Sequence, residues 1–302
     1  MLRCLFGGGG GGGGNGGGSP KKADNFLLLK KHDVTLKIKE GDYDGARRAL
    51  LNERAKARVK DADDYLPLHL SLMAKAPERL VLLLIDSYEP ALAERDPSGR
   101  LPIHILSSDP ECLLSYLQLV LSHSPPSCLT EKDANGDLPL HQTIRHRCPT
   151  ETSLALLQAH GGGLQTAQTE TGDNEGNLAL HLALRHGAED RLVCAILKAY
   201  PDAIRVFNNR KDLPIHRAAL FNANLAILKA LVYEGSLAVA DAQGNLPIHL
   251  FFMQLRGGRP NDDVMQFFLE DNPGSIGRLN NNRCTPLQIL EKYYEQLEKY
   301  RY

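Results

Sequence analysis

The chain has no tryptophan among its 302 residues, and aromatic side chains make up only 6% of it. Stacking platforms for single-stranded nucleic acid need more than that. Nor does one sign of charge prevail: 35 Lys and Arg stand against 36 Asp and Glu, for a formal net charge of −1. Such a balance gives no long-range field to gather nucleic acid or an anionic membrane. No apolar run reaches the roughly 18–20 residues of a membrane span. The opening Met1-Leu2-Arg3-Cys4-Leu5-Phe6 is too short for the apolar part of a secretory leader. Cys4, Cys112, Cys128, Cys148, Cys194 and Cys284 form no CxxC pair and no Cys/His ligand spacing. They read as small apolar residues of a reduced compartment, which makes a cytoplasmic or nuclear location the expectation.

Enzyme signatures are missing as well. His160-Gly161-Gly162-Gly163 looks like the oxyanion-hole sequence of esterases, but no G-x-S-x-G nucleophile elbow accompanies it. The glycine tract at 7–18, interrupted only by Asn15, is followed by no Lys-Ser/Thr and so is no phosphate loop. No catalytic constellation and no cofactor motif is found, and a non-enzymatic protein is expected.

What the sequence does hold is a phrase, apolar–Pro–apolar–His, that recurs after a turn. It reads LPLH (Pro67, His69), LPIH (Pro102, His104), LPLH (Pro139, His141), LALH (His181), LPIH (Pro214, His216) and LPIH (Pro247, His249). A degenerate copy, TPLQ, contains Pro286 and ends at Gln288. Successive copies are 35, 37, 40, 35, 33 and 39 residues apart, a period that signals stacked repeats. Each copy follows a turn such as Asp96-Pro97-Ser98-Gly99, whose Asp and Gly suit a tight turn with a left-handed last residue. Pro then opens a short helix, where its missing N–H is harmless. A second helix follows, for example over 80–88 or 192–200, and stops near a proline.

Residues 1–24 read as a disordered, Gly-rich tether. Residues 25–59 read as an N-terminal cap with helices over 26–39 and 43–59, residues 60–278 as six repeats, and residues 279–302 as a capping repeat. In the last, Ile289, Tyr293, Leu297 and Tyr300 make one apolar stripe. The expected fold is an all-α repeat solenoid of helix-turn-helix units joined by β-turn or hairpin loops.

The frame D-x-x-G-x-[L/T]-P-[L/I]-H, with two short helices and a period near 33, resembles the ankyrin repeat over about residues 28–302. That resemblance implies protein–protein recognition on a concave face built from turn tips and first helices, with no cofactor and no catalysis. Leu replaces the family's usual Thr before the proline at 66, 101, 138, 178, 213 and 246. Asp64, Lys211 and Arg283 stand where the turn glycine belongs, and these three tips are expected to take another turn, since a left-handed non-glycine costs about 1–2 kcal/mol. Surplus residues are expected near 122–130, 161–172 and 257–263.

Six repeated histidines suggest a metal, but zinc needs ligands converging on one point. Equivalent positions in a stack lie a whole repeat apart, so each imidazole is expected to bond backbone of its own or the next turn. Among family-exposed positions of the first helices, Arg145-His146 and Arg185-His186 share a register, with Leu220-Phe221 and Met253 in the next units. A basic centre beside an apolar shelf would suit an acidic partner with an apolar anchor. The bland alternative has the arginines paired to nearby carboxylates. Tyr65, Arg95 and Arg100 beside the tips are further candidate contacts. The partner expected is another protein, bound by a monomer, without nucleic acid. A membrane role would require S-acylation of Cys4, which alone gives weak anchoring.

Overall fold

The computed structural model describes residues 33–159, 172–255 and 260–299, with side chains of the final helix described to residue 295. The tether at 1–24, Cys4, the start of the cap, most of the surplus at 161–172 and part of that at 257–263 lie outside the described residues.

Every regular element described is a helix, and no strand occurs among the described residues. The helices come in pairs: α1 (Val34–Glu40) with α2 (Tyr43–Asn52), α3 (Pro67–Met73) with α4 (Glu78–Ser87), α5 (Pro102–Ser107) with α6 (Leu114–His123), and α7 (Pro139–Arg145) with α8 (Thr150–Gln158). Then follow α9 (Ala179–His186) with α10 (Asp190–Ala199), α11 (Pro214–Leu220) with α12 (Leu225–Leu231), α13 (Pro247–Met253) with α14 (Asp262–Asp271), and the closing α15 (Pro286–Lys299). A 3-10 turn ends most pairs, as at Glu89–Ala93, Pro126–Leu129 and Pro201–Arg205. The surplus expected near 122–130 is therefore this ordinary turn. The cap's second helix also stops earlier than its apolar spacing implies, at Asn52, and gives way to the 3-10 turn Arg54–Arg58.

The pairs stand in single file. First helices pack in series from α1 through α3, α5, α7, α9, α11 and α13 to α15, and all substantial contacts fall within a unit or between adjacent units. A first helix of six to eight residues is too short to be stable alone. These helices are instead apolar nearly all round: Pro67 through Leu72 are all buried, as are Ala179 through Leu184. Sandwiching between neighbours is what makes them helices. The leucines preceding the prolines are no more than 3% exposed, and each such burial is worth about 1.5–3 kcal/mol. At the far end the core turns aromatic, with Phe251 5.4 Å from Phe252 and 5.5 Å from Phe268 between ring centroids, covered by Ile289, Leu290 and Tyr293 of α15.

Each histidine does the capping that a Thr would have done, and five of the six are also shown tying two units together. In His104, Nδ1 accepts from the Leu101 N–H at 3.2 Å, while Nε2 lies 3.1 Å from the Glu131 carbonyl at the next tip. His69, His181, His216 and His249 repeat the pair of bonds, to the carbonyls of Glu94, Asp212, Val239 and Arg278. His141 accepts likewise from the Leu138 N–H at 3.3 Å. An imidazole that accepts at one nitrogen and donates from the other is neutral. Burial, opposed by the carbonyl each ring bonds, pulls the pKa of His181 down to about 4, and burial lowers His69, His104, His216 and His249 in the same direction. The folded chain thus binds fewer protons than the unfolded one below about pH 6.5. The stability these rings contribute is present above that pH and is lost as pH falls toward 4. At pH 5 His181 alone should cost about 2 kcal/mol. Urea midpoints that stay constant from pH 7 to pH 5 would contradict this.

The tips follow one plan seven times. The Oδ1 of Asp61, Asp96, Asp133, Asp173, Asn208, Asp241 or Asn280 accepts the backbone N–H groups two and four residues on. Asp64, Lys211 and Arg283 adopt the same left-handed conformation as the glycines, at φ 68°, 58° and 57°. The expectation of another turn there is corrected. The side-chain bonds from the first residue hold the tip whatever its fourth residue, and stacking adds cross-tip bonds. The Asn209 N–H donates to the Glu175 carbonyl at 2.9 Å, Ala242 to Arg210 at 3.1 Å and Asn281 to Gln243 at 3.0 Å.

The apolar core is not continuous. Among the described residues it forms one cluster up to Leu129, joined by Leu156, and another from Leu140 onward. The helices at the division carry buried Gln142, Thr143, Thr152 and Ser153. Ser153 donates to Thr143 Oγ1 at 2.9 Å, and the Gln142 amide reaches Asp133 at 2.7 Å. Polar bonds stand here beside the hydrocarbon contacts of Leu140, Ile144, Leu156 and Leu157.

Candidate binding surface

Three of the candidate cations are held internally. Arg145 donates to Asp137 at 3.0 Å and to Asp173 of the following unit at 2.8 Å, and both carboxylates are almost wholly buried. Arg95 reaches back to the Gly99 carbonyl and across to Glu131 and the Lys132 carbonyl, which staples two tips. Arg100 closes on its own tip through Asp96 at 2.8 Å. Tyr65 packs half-buried against the N-terminal core. Arg217, which no register argument singled out, is buried with its guanidinium 2.6 Å from Asp212. It occupies the position of Gln142, one residue after the repeat histidine, and both reach a tip carboxylate. That equivalence was the signal available in the sequence.

Burial pushes the Asp137 carboxyl up, against the pull of the Arg145 guanidinium. In Asp173, hydrogen bonds from Asn177 and Glu175 outweigh burial and hold the carboxyl down. Removing the guanidinium leaves two buried carboxylates facing each other. Since Arg145 is a third exposed, Arg145→Gln should cost about 1–3 kcal/mol, and less at pH 4 than at pH 7. Chemical melts at the two pH values check this, and equal losses would contradict it. Arg145 is therefore a poor probe of partner binding, because its loss disturbs the fold.

What stays available lies at the C-terminal ends of the first helices. His146 and Arg147 follow α7 and are exposed; Arg185 and His186 end α9 half-buried. Arg185 comes no nearer a carboxylate than 3.9 Å, to Glu175. In the next two units Phe221 is 41% and Met253 42% exposed, while Leu220 packs half-buried on the core. Met73 holds the same position in the first repeat at 44%. So the six candidate positions at 145–146, 185–186 and 220–221 share one strip with Met253, but only some of them face water.

Two pits flank this strip where α7 meets α9. One, of about 310 Å³, lies toward the tips among Asp137, Arg145, Asp173 and Glu175. The other, of about 250 Å³, lies at the opposite end among Arg147, Cys148, Thr150, Ser153, His186 and Glu189. The Cys148 thiol donates to the carbonyls of Ser107 and Asp109, and burial pushes its pKa up to about 12, so it is no nucleophile. No group of three or more potential metal ligands occurs among the described residues. No described helix is long and apolar enough to cross a membrane.

No protein-family model and no curated protein matches this chain. Its chemistry has to be read from its own surface. That surface offers cations and apolar groups for docking, with the polar backbone of the tips already committed.

Proposed function

We propose that the chain is a member of the ankyrin-repeat family and serves as a non-enzymatic scaffold or adaptor that binds another protein. The unit plan of turn tip, short first helix and returning second helix supports the family. The observation that carries the function is the strip along the first-helix ends, where Arg147, Arg185, Phe221 and Met253 follow the repeat histidines of successive units by four to six residues and keep exposed surface. Repeated positions in a stack form a continuous track, and large apolar groups left exposed in such a track mark a docking surface. The protein acts as a monomer in the cytoplasm or nucleus. Cys4, on which the alternative of a membrane-tethered adaptor depends, lies outside the described residues.

Proximity labelling in cells with the wild-type chain and a Phe221→Ser, Met253→Ser variant tests it. Both residues are exposed, so the variant keeps its fold. Loss of the specific neighbours in the variant is expected. An unchanged set of labelled proteins removes the strip as the docking surface.

A further inference from the structure

Charge is spread unevenly along the tips. In the first three, cations meet carboxylates nearby: Lys39 pairs with Asp61 and Asp63, Lys60 lies 3.7 Å from Glu94, and Arg95 holds Glu131. The last three, over residues 205–212, 238–245 and 277–285, expose Arg210, Lys211, Arg278 and Arg283. The carboxylates in these segments, Asp212 and Asp241, are both buried, the first against Arg217 and the second on N–H groups of its own turn. None of the four exposed cations forms an ion pair among the described residues. The residue before each tip changes in the same sense. It is Lys60, Arg95 and Lys132 in the first three units but Phe207, Ala240 and Leu279 in the last three. Phe207 is 48% and Leu279 60% exposed, on either side of the small Ala240. The balanced net charge conceals this patch, because Asp61, Asp63 and Asp64 lie at the other end of the row.

Two of these cations also stand where glycine would be easier. Lys211 and Arg283 hold φ 58° and 57°, the place of Gly99, Gly136, Gly176 and Gly244 in four other tips. A left-handed side chain carries a strain that glycine avoids, so stability alone does not account for a cation there. The Ala242 N–H on the Arg210 carbonyl and the Asn281 N–H on the Gln243 carbonyl join the three tips into one edge. The same bonds use up backbone groups that an added peptide strand would need. What remains is a row of protruding side chains, apolar and cationic together. Such a row suits a fluid anionic surface, where Phe and Leu insert while Arg and Lys stay at headgroup level. We propose that the tips of the last three units dock on an anionic phospholipid bilayer, with Phe207 and Leu279 entering the interface and the four cations meeting lipid headgroups. The tips precede the first helices and the protein-docking strip follows them. The seven-residue helices α11 and α13, each about 10 Å long, separate the two surfaces, so one array can hold a membrane and a protein at once.

The chain has no tryptophan, so Phe207→Trp places a single fluorescent reporter on this edge. The full chain is titrated with vesicles of phosphatidylcholine containing about a third phosphatidylserine, and with phosphatidylcholine alone. Only the anionic vesicles should shift the emission to the blue, and salt at about 0.5 M should reverse most of the binding. Lys132→Trp, in the same row on an early tip, should show no shift. Each cation near such a surface strengthens attachment about fivefold, so Lys211→Gly with Arg283→Gly should weaken vesicle cosedimentation about 25-fold. That pair also relieves the left-handed strain, and its urea midpoint should be no lower than that of the wild type. Arg210→Gln with Arg278→Gln, where the backbone is not left-handed, should weaken binding to a similar degree. An unshifted emission, or either cation pair cosedimenting as the wild type does, overturns the proposal. Poly-glutamate that binds as tightly as the vesicles and displaces them also overturns it, and marks the edge as a site for an acidic protein instead.

Discussion

His104→Ala is expected to destabilise the array by about 3–5 kcal/mol, as is alanine at any repeat histidine that makes the same pair of bonds. Two backbone groups lose their partner at once: the buried Leu101 N–H, bonded at 3.2 Å, and the partly buried Glu131 carbonyl, bonded at 3.1 Å. Each orphaned group costs about 1–3 kcal/mol, and the vacated ring leaves a cavity that the close-packed stack fills poorly. Because the two bonds end on different units, the loss falls on the interface between α5 and the following tip. His104→Gln should recover about half. The closing copy shows how, for Gln288 accepts from the Thr285 N–H at 2.9 Å and thereby caps its helix without reaching a further unit. Urea melts and amide exchange along α5 provide the measurement. A loss below about 1 kcal/mol for alanine would mean that water replaces the imidazole in both roles.

The second large effect belongs to a tip. Gly244 has φ 75°, and a Cβ built on it would lie 2.5 Å from Asn281 Oδ1 and 2.9 Å from the Asn281 backbone nitrogen. That nitrogen donates to the Gln243 carbonyl, and the Asn281 side chain donates to the Ala242 carbonyl at 3.2 Å. The side chain can move, but the backbone cannot without parting the two tips. Gly244→Ala should therefore cost about 3 kcal/mol, of which about 1–2 is conformational and the rest is lost tip-to-tip bonding. Gly41→Ala is the control, at φ 79° with nothing within 4 Å, and should show the conformational part alone. Equal losses at the two sites would show that the close approach has no energetic weight.

Much of the architecture was legible because a stack repeats its solution. The Pro and His positions, the Asp-led turns and the apolar stripes located the helices after the cap, while the predicted start of the cap's first helix at 26 lies outside the described residues. What could not be read was whatever depends on the neighbour across the interface. Lys211 looked unfit for its turn because its cost is local, whereas the Asn208 side chain and the cross-tip bonds that hold the turn are not. The second cap helix looked continuous to residue 59, but its apolar spacing runs on through a 3-10 turn. At the candidate surface the register placed Arg145 and Arg185 side by side and could not tell them apart. Asp173, 28 residues further along the chain, claims one guanidinium and leaves the other. The pit behind His186 had no sequence signature, since a cavity is a property of what the facing helix omits.

Where Gln142, Thr143 and Ser153 stand among the leucines, the match between neighbouring units depends on direction as well as shape. A hydrocarbon surface tolerates sliding, whereas a buried hydroxyl or amide must meet its partner at one distance and angle. This unit therefore fixes its register against its neighbours more strictly than units that meet through leucine alone.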